Sequence, residues 1–151
     1  LERLLRHFGV EPRRLAFEVT ETAAINSVLQ ATRLMRGIQE LGCRFALDDF
    51  GSGYASYAYL RQLPVDDVKV DGCFIRNLAD SREDRIFVKA ITDMSHGMGK
   101  RVIAEFVESE AILGVLRELG VDCAQGYHFG RPGPLNDCGS GVQMPGMARV
   151  A

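Results

Sequence analysis

With 151 residues, 46% of them hydrophobic and 25% charged, the chain has ordinary globular values and enough length for one domain with a packed core. A formal net charge of −2 argues against a DNA-binding patch or a membrane-binding face, and no apolar run approaches the roughly 20 residues of a membrane span. Cys43, Cys73, Cys123 and Cys138 are widely separated, with no Cys-x-x-Cys motif. That spacing reads as reduced thiols in a cytoplasmic protein, not as zinc ligands or a disulfide framework. The first residue is Leu1 and not Met, so the segment is expected to be processed or cut from a longer chain, one that upstream segments are free to anchor to a membrane.

The elements follow in order. Leu1 to Phe8 has helical spacing that Gly9 stops, and Pro12 marks a loop. Leu15 to Val19 is a short strand, and Thr20-Glu21-Thr22 a polar turn. From Ala23 to Leu41 an apolar stripe (Ile25, Val28, Leu29, Leu34, Ile38, Leu41) predicts one helix ended by Gly42. A strand at Arg44 to Leu47 runs into Asp48-Asp49 and the loop Gly51-Ser52-Gly53. Tyr54 to Leu63 reads as a helix closed by Pro64, and Asp67 to Asp71 as an alternating strand. Ser81 is placed to cap a helix over Arg82 to Met98, and Ser109 a helix through Leu119. Strands over Arg101 to Val107 and Val121 to Gln125 complete the pattern. Residues 136–151, rich in Gly and Pro, read as a loose tail beyond a domain of residues 1–135.

Repeated strand, loop and helix argue a parallel sheet with helices outside it. Polar residues recur along the strands or at their C-terminal ends: Glu18, Asp48 with Asp49, Lys69, Glu105 and Gln125. Strand ends on five successive strands favour a (β/α)₈ TIM-like barrel over an open sheet, in which fewer strands reach one switch point. A complete barrel takes roughly 250 residues, so the expectation is an α/β, incomplete barrel of about five C-terminal βα units.

Each of these polar residues has an ordinary reading when taken alone: a solvated Glu18, a solvated Lys69, a turn at Gln125. Strand parity nevertheless groups Glu18, Asp48, Lys69 and Glu105 on one face. Phe17, Val19, Phe45, Leu47, Val68, Val70, Val102 and Ala104 fall on the other, against the helices. Carboxylates without a histidine describe a hard, oxygen-rich site suited to Mg²⁺ or Mn²⁺. Two cations sharing a carboxylate can clamp an in-line attack on a phosphodiester.

The ordered motifs FEVTET, ALDDFGSGYAS, LPVDDVKVD, VIAEFVES and QGYHFGRP resemble the EAL-domain family of bacterial cyclic di-GMP phosphodiesterases. The resemblance implies two Mg²⁺ or Mn²⁺ ions and hydrolysis of cyclic di-GMP to linear pGpG. It implies Glu18 and Asp48 as ligands of one metal, with Asp48 bridging, and Asp49 and Glu105 as ligands of the other. Lys69 resembles the residue that holds the attacking water. Glu21 resembles the anchor of the loop after the aspartate pair, Glu108 a supporting carboxylate, and Gln125 a residue completing the substrate site. Homodimerisation through the loop after Asp49, and a fused upstream sensory or GGDEF-type domain, follow from the same resemblance. Where the family usually carries Gly, this chain has Phe106, which parity points outward behind the site. The Glu-Ala-Leu signature and an Asn ligand have no counterpart here, so the 151-residue piece is expected to be inactive alone.

Other readings stay open at this point. A catalytically inactive EAL domain would bind cyclic di-GMP, or a partner, without cleaving it. A phosphoacceptor receiver also uses paired acids and a lysine, but Gly-Ser-Gly directly after the pair does not fit. Asp49-Phe50-Gly51 spells the kinase magnesium motif without the glycine-rich or catalytic loops that give it meaning.

Overall fold

The computed structural model describes residues 1–53, 57–132 and 147–150. They belong to two compact units, Leu1–Val68 and Lys69–Ala151. The first unit opens with helix α1 (Glu2–Phe8), ended by Gly9 in the left-handed region at φ 61°. A 3₁₀ turn at Pro12–Arg14 leads into β1 (Ala16–Thr20), followed by α2 (Glu21–Asn26), α3 (Val28–Gln39), β2 (Arg44–Phe50) and α4 (Tyr57–Gln62). Strands β1 and β2 are parallel, in a register from Ala16 opposite Arg44 to Thr20 opposite Asp48. The paired rings of Phe17 and Phe45 stack with centroids 5.6 Å apart. Phe45, Leu47, Met35, Leu60 and Leu63 are buried in this unit.

Strand β3 (Asp67–Val70) passes from the first unit into the second, where α5 (Gly72–Ile75), α6 (Arg82–Gly97), β4 (Arg101–Ala104), α7 (Glu110–Leu119), β5 (Cys123–Gln125) and β6 (Met147–Arg149) follow. Strand β5 is parallel to β4 and antiparallel to β6. The apolar stripes of α6 (Val88, Ile91) and α7 (Ile112, Leu113, Leu116) are buried, as are Val102, Ile103, Ala104, Val121 and Ala124. The caps read from the sequence are present: Ser81 accepts from the Asp84 N–H at 3.1 Å, and Ser109 from the Ile112 N–H at 3.3 Å. No helix among the described residues is long and apolar enough to cross a membrane.

Three expectations need correction. The segment 23–41 is not one helix, because Ser27 adopts φ −154°, ψ 75° between α2 and α3. Ser27 is of a residue type whose side chain competes with helical backbone bonding. Thr20-Glu21-Thr22 is not a turn either. Thr20 is the N-cap of α2, accepting from the Ala23 N–H at 3.4 Å, and Glu21 is the first helical residue. Finally, a strand, β6, stands at 147–149 inside the segment read as tail. Part of the helix read over 54–63 lies outside the described residues.

One device recurs in both units. Asp66 accepts from the Phe45 N–H through Oδ2 at 2.8 Å, and its own N–H donates to the Phe45 carbonyl at 2.8 Å. Asp122 does the same at Val102, at 2.7 and 3.2 Å. Each aspartate stands just ahead of a strand and bonds the second residue of the preceding one. It thereby satisfies backbone groups at the N-terminal rim, where the ladder ends. Replacing Asp122 with Ala should therefore lower stability by about 1–3 kcal/mol, and Asp122→Asn, which keeps an acceptor, should lose less. Thermal or urea unfolding of the parent protein measures this. An alanine variant as stable as wild type would remove the structural role.

Candidate active site

In the first unit the two acids of the aspartate pair close β2. The register places Thr20 opposite Asp48, so the C-terminal ends of β1 and β2 lie side by side. Glu18, two residues earlier on β1, is exposed. Asp48 and Asp49 are each half-buried. Asp49 has φ 56°, in the left-handed region that Asp tolerates better than most residues. Its carbonyl accepts from the Ser52 N–H and Oγ at 3.3 and 2.9 Å, turning the chain sharply after the pair.

Beneath that turn lies Glu21, only 2% exposed, whose Oε2 accepts from the Gly51 N–H at 3.0 Å. The loop approaches so closely that a Cβ on Gly53 would stand 2.4 Å from Glu21 Oε1. A larger residue at 53 would have to displace the Glu21 carboxylate. The buried carboxylate of α2 and the backbone of residues 51–53 form one packed unit.

In the second unit Lys69 on β3 meets Glu105, the first residue after β4. The Nζ–Oε1 distance is 2.8 Å, with side-chain exposures of 4% and 12%. An ammonium this deeply buried is tolerated only against a negative partner. Beyond Glu105 the chain is held against β5. The Val107 N–H donates to the Gln125 carbonyl and its carbonyl accepts from the His128 N–H, both at 3.0 Å. Gly126 crosses Val107 so tightly that a Cβ there would come within 2.2 Å of the Val107 carbonyl oxygen. This crossing brings Glu105, Phe106, Glu108, Gln125, Gly126 and Tyr127 around one cleft of about 130 Å³.

Phe106 departs from expectation. It does not pack outward behind the sheet; it is 45% exposed and lines this cleft. The ladder of β4 ends at Ala104 and Phe106 takes φ 54°, so strand alternation no longer governs its direction. A residue type that normally stands at a left-handed position, glycine, is what the resemblance led one to expect here. Tyr127, 58% exposed, was not singled out by sequence reasoning, although its place directly after Gln125-Gly126 was the available signal. Near the cleft, burial and the Asp71 carboxylate push the Cys73 thiol up to about 11. Below, Glu110 pairs with Arg117 at 2.9 Å and with His128 at 3.0 Å, and the Arg117 hydrogen bond holds its carboxyl below the usual range.

Residues 1–132 match the EAL domain model. The cyclic di-GMP phosphodiesterase PdeB of Shewanella oneidensis is 49% identical over 128 residues, 85% of this chain and 15% of that protein. The PaMucR phosphodiesterase in its c-di-GMP complex superposes with a TM-score of 0.83 at 34% identity, covering 89% of this chain and 54% of that one. Klebsiella pneumoniae BlrP1, in a manganese/cyclic di-GMP complex, gives 0.81 at 30% identity, over 87% of this chain and 33% of that one. The chain belongs to the EAL-domain family, and its fold is the α/β, TIM-barrel-like one of these neighbours. It spans about one-seventh of the length of PdeB.

The Lys69–Glu105 pair can be tested without turnover. In EDTA, Glu105→Leu strands a buried ammonium and should destabilise the protein by about 3–5 kcal/mol. The double variant Lys69→Met, Glu105→Leu should recover most of that loss. Urea unfolding of the wild type, Glu105→Leu, Lys69→Met and the double variant gives the coupling. Additive losses would show that the two side chains do not depend on each other.

Proposed function

We propose that the protein to which this chain belongs is a metal-dependent phosphodiesterase that hydrolyses cyclic di-GMP to linear pGpG. The observation that carries the reading is the buried Lys69–Glu105 pair, whose Glu105 lines a cleft together with Gln125 and Glu108. It stands in a chain of the EAL family whose first unit carries two adjacent aspartates near the C-terminal end of β2. The names of PdeB and of the PaMucR and BlrP1 complexes support the same substrate.

The donors fit hard divalent cations: Glu18, Asp48, Asp49 and Glu105 offer only carboxylate oxygens, with no thiol or imidazole among them. We assign Glu18 and Asp48 to one Mg²⁺ or Mn²⁺, Asp49 and Glu105 to a second, with Asp48 shared. Bound there, the cations supply charge neutralisation for the phosphodiester and its departing oxygen. Lys69 orients the attacking water through its ammonium, and its burial keeps that charge unscreened. Gln125 contacts the substrate, and Glu108 supports the rim. Glu21 anchors the start of the loop after Asp49 through the Gly51 N–H. That loop is also where a second copy would dock, and a sensory or GGDEF-type domain is the expected fusion partner. The activity belongs to the complete domain; residues 1–151 by themselves would be inactive.

In the full-length protein, EDTA should abolish conversion of cyclic di-GMP to pGpG, and Mg²⁺ or Mn²⁺ should restore it. Asp48→Asn should lower kcat by about 10²–10³, equivalent to roughly 3–4 kcal/mol of transition-state stabilisation. Chromatography of the nucleotide products reads both. Wild-type binding of cyclic di-GMP without product, or normal turnover by Asp48→Asn, would contradict the assignment, the first outcome pointing to a receptor.

A further inference from the structure

Phe106 is held in an expensive place. Its backbone is in the left-handed region at φ 54°, sparsely populated for a bulky residue, and nearly half of the residue is open to solvent. Neither feature serves core packing. The ring is nevertheless pinned. It lies so close over Gly72 that a Cβ on that glycine would approach its Cδ2 to 2.2 Å, and the Arg76 guanidinium stands 4.5 Å from its centroid. A larger residue at 72 would have to push the ring aside, and the Arg76 guanidinium contacts it from the helix end that follows. Tyr127 lines the same cleft, with Arg131 5.0 Å from its own ring centroid. Glu105, Glu108 and Gln125 supply the polar lining between.

A rigid, solvent-facing aromatic ring beside a phosphodiester site is suited to the π-face of a nucleobase, because stacking needs area and a fixed plane rather than hydrogen-bond partners. We propose that Phe106 is a specificity-determining residue that stacks on one purine base of the substrate. It provides a contact that a glycine at this position cannot make. The proposal rests on the phosphodiesterase reading and adds to it a base-binding wall built by Phe106, Gly72 and Arg76. Backbone strain at Phe106 is then the counterpart of a ring aimed into the cleft.

The experiment uses the full-length protein with Mg²⁺ and two substrates: cyclic di-GMP, and the analogue carrying 2-aminopurine in place of one guanine, whose fluorescence falls on stacking. Phe106→Leu keeps apolar bulk without a π-face, Phe106→Gly suits the left-handed backbone, and Phe106→Trp keeps the stack. Losing one base stack weakens binding about 5- to 150-fold. The Leu and Gly variants should show that rise in KM, with kcat affected less, and should lose the rapid quenching phase that precedes turnover. The Trp variant should retain both. Unchanged KM and quenching in the Leu and Gly variants of an active protein would overturn the stacking role alone. A wild-type protein that neither binds nor cleaves cyclic di-GMP would instead overturn the phosphodiesterase reading and this proposal with it.

Discussion

A lysine ammonium buried inside a sheet must be met by negative charge, and Lys69 meets Glu105 at 2.8 Å. Much of the second unit can be read as what that meeting requires. Strand β3 has to deliver Lys69 on one face while Val68 and Val70, each fully buried, fill the other. Strand β4 has to end one residue before Glu105, so that the carboxylate leaves the ladder and turns to the lysine. The chain after it must then be held, and the hydrogen bonds of Val107 to Gln125 and His128, over the bare Cα of Gly126, do so. A buried pair of this kind contributes little net stability against a well-packed apolar alternative. Its retention in the sheet therefore points to the chemistry of the cleft.

The first unit solves a related problem with a different group. Two adjacent carboxylates at a strand end repel each other, and the turn that follows exposes backbone donors. Glu21 absorbs one of them, the Gly51 N–H, from beneath. Asp49 adopts a left-handed backbone, and Phe106 in the second unit does the same. Among the described residues these two positive-φ positions outside glycine stand directly at or beside the candidate ligands, where strain is expected to collect if function and not packing sets the conformation. At the N-terminal ends of the strands Asp66 and Asp122 hold backbone groups and one side chain each, Gln39 at 3.2 Å and His96 at 2.8 Å.

What the sequence made legible follows from which signals are local. Alternation is a local signal, so the strands at Ala16–Thr20, Asp67–Val70 and Arg101–Ala104 lie within a few residues of expectation. Parity put Lys69 and Glu105 on one face, and the two side chains touch. Serine caps are local as well, and Ser81 and Ser109 act as expected. The helix over 23–41 looked continuous because its apolar stripe continues through Ser27, while the break is a backbone event that the stripe does not record. Helix α5 is only four residues long and is announced by nothing except Asp71, which caps it at Cys73. Strand β6 depends on its partner β5, more than twenty residues away, so its own three residues carry no pattern. Phe106 was misdirected because parity was extended two residues past the end of the ladder. The roles of the individual carboxylates entered through family resemblance, since spacing alone cannot tell a ligand from a solvated acid.

The central claim is that Lys69 and the surrounding carboxylates direct water onto a phosphodiester. Turnover of cyclic di-GMP by the full-length protein in ¹⁸O-enriched water, followed by mass spectrometry of the nucleotide, tests it directly. The account predicts linear pGpG carrying one heavy oxygen on its new terminal phosphate, with product and label lost together in Lys69→Met. A linear product without label, or a Lys69→Met protein that forms labelled pGpG at the wild-type rate, would contradict it.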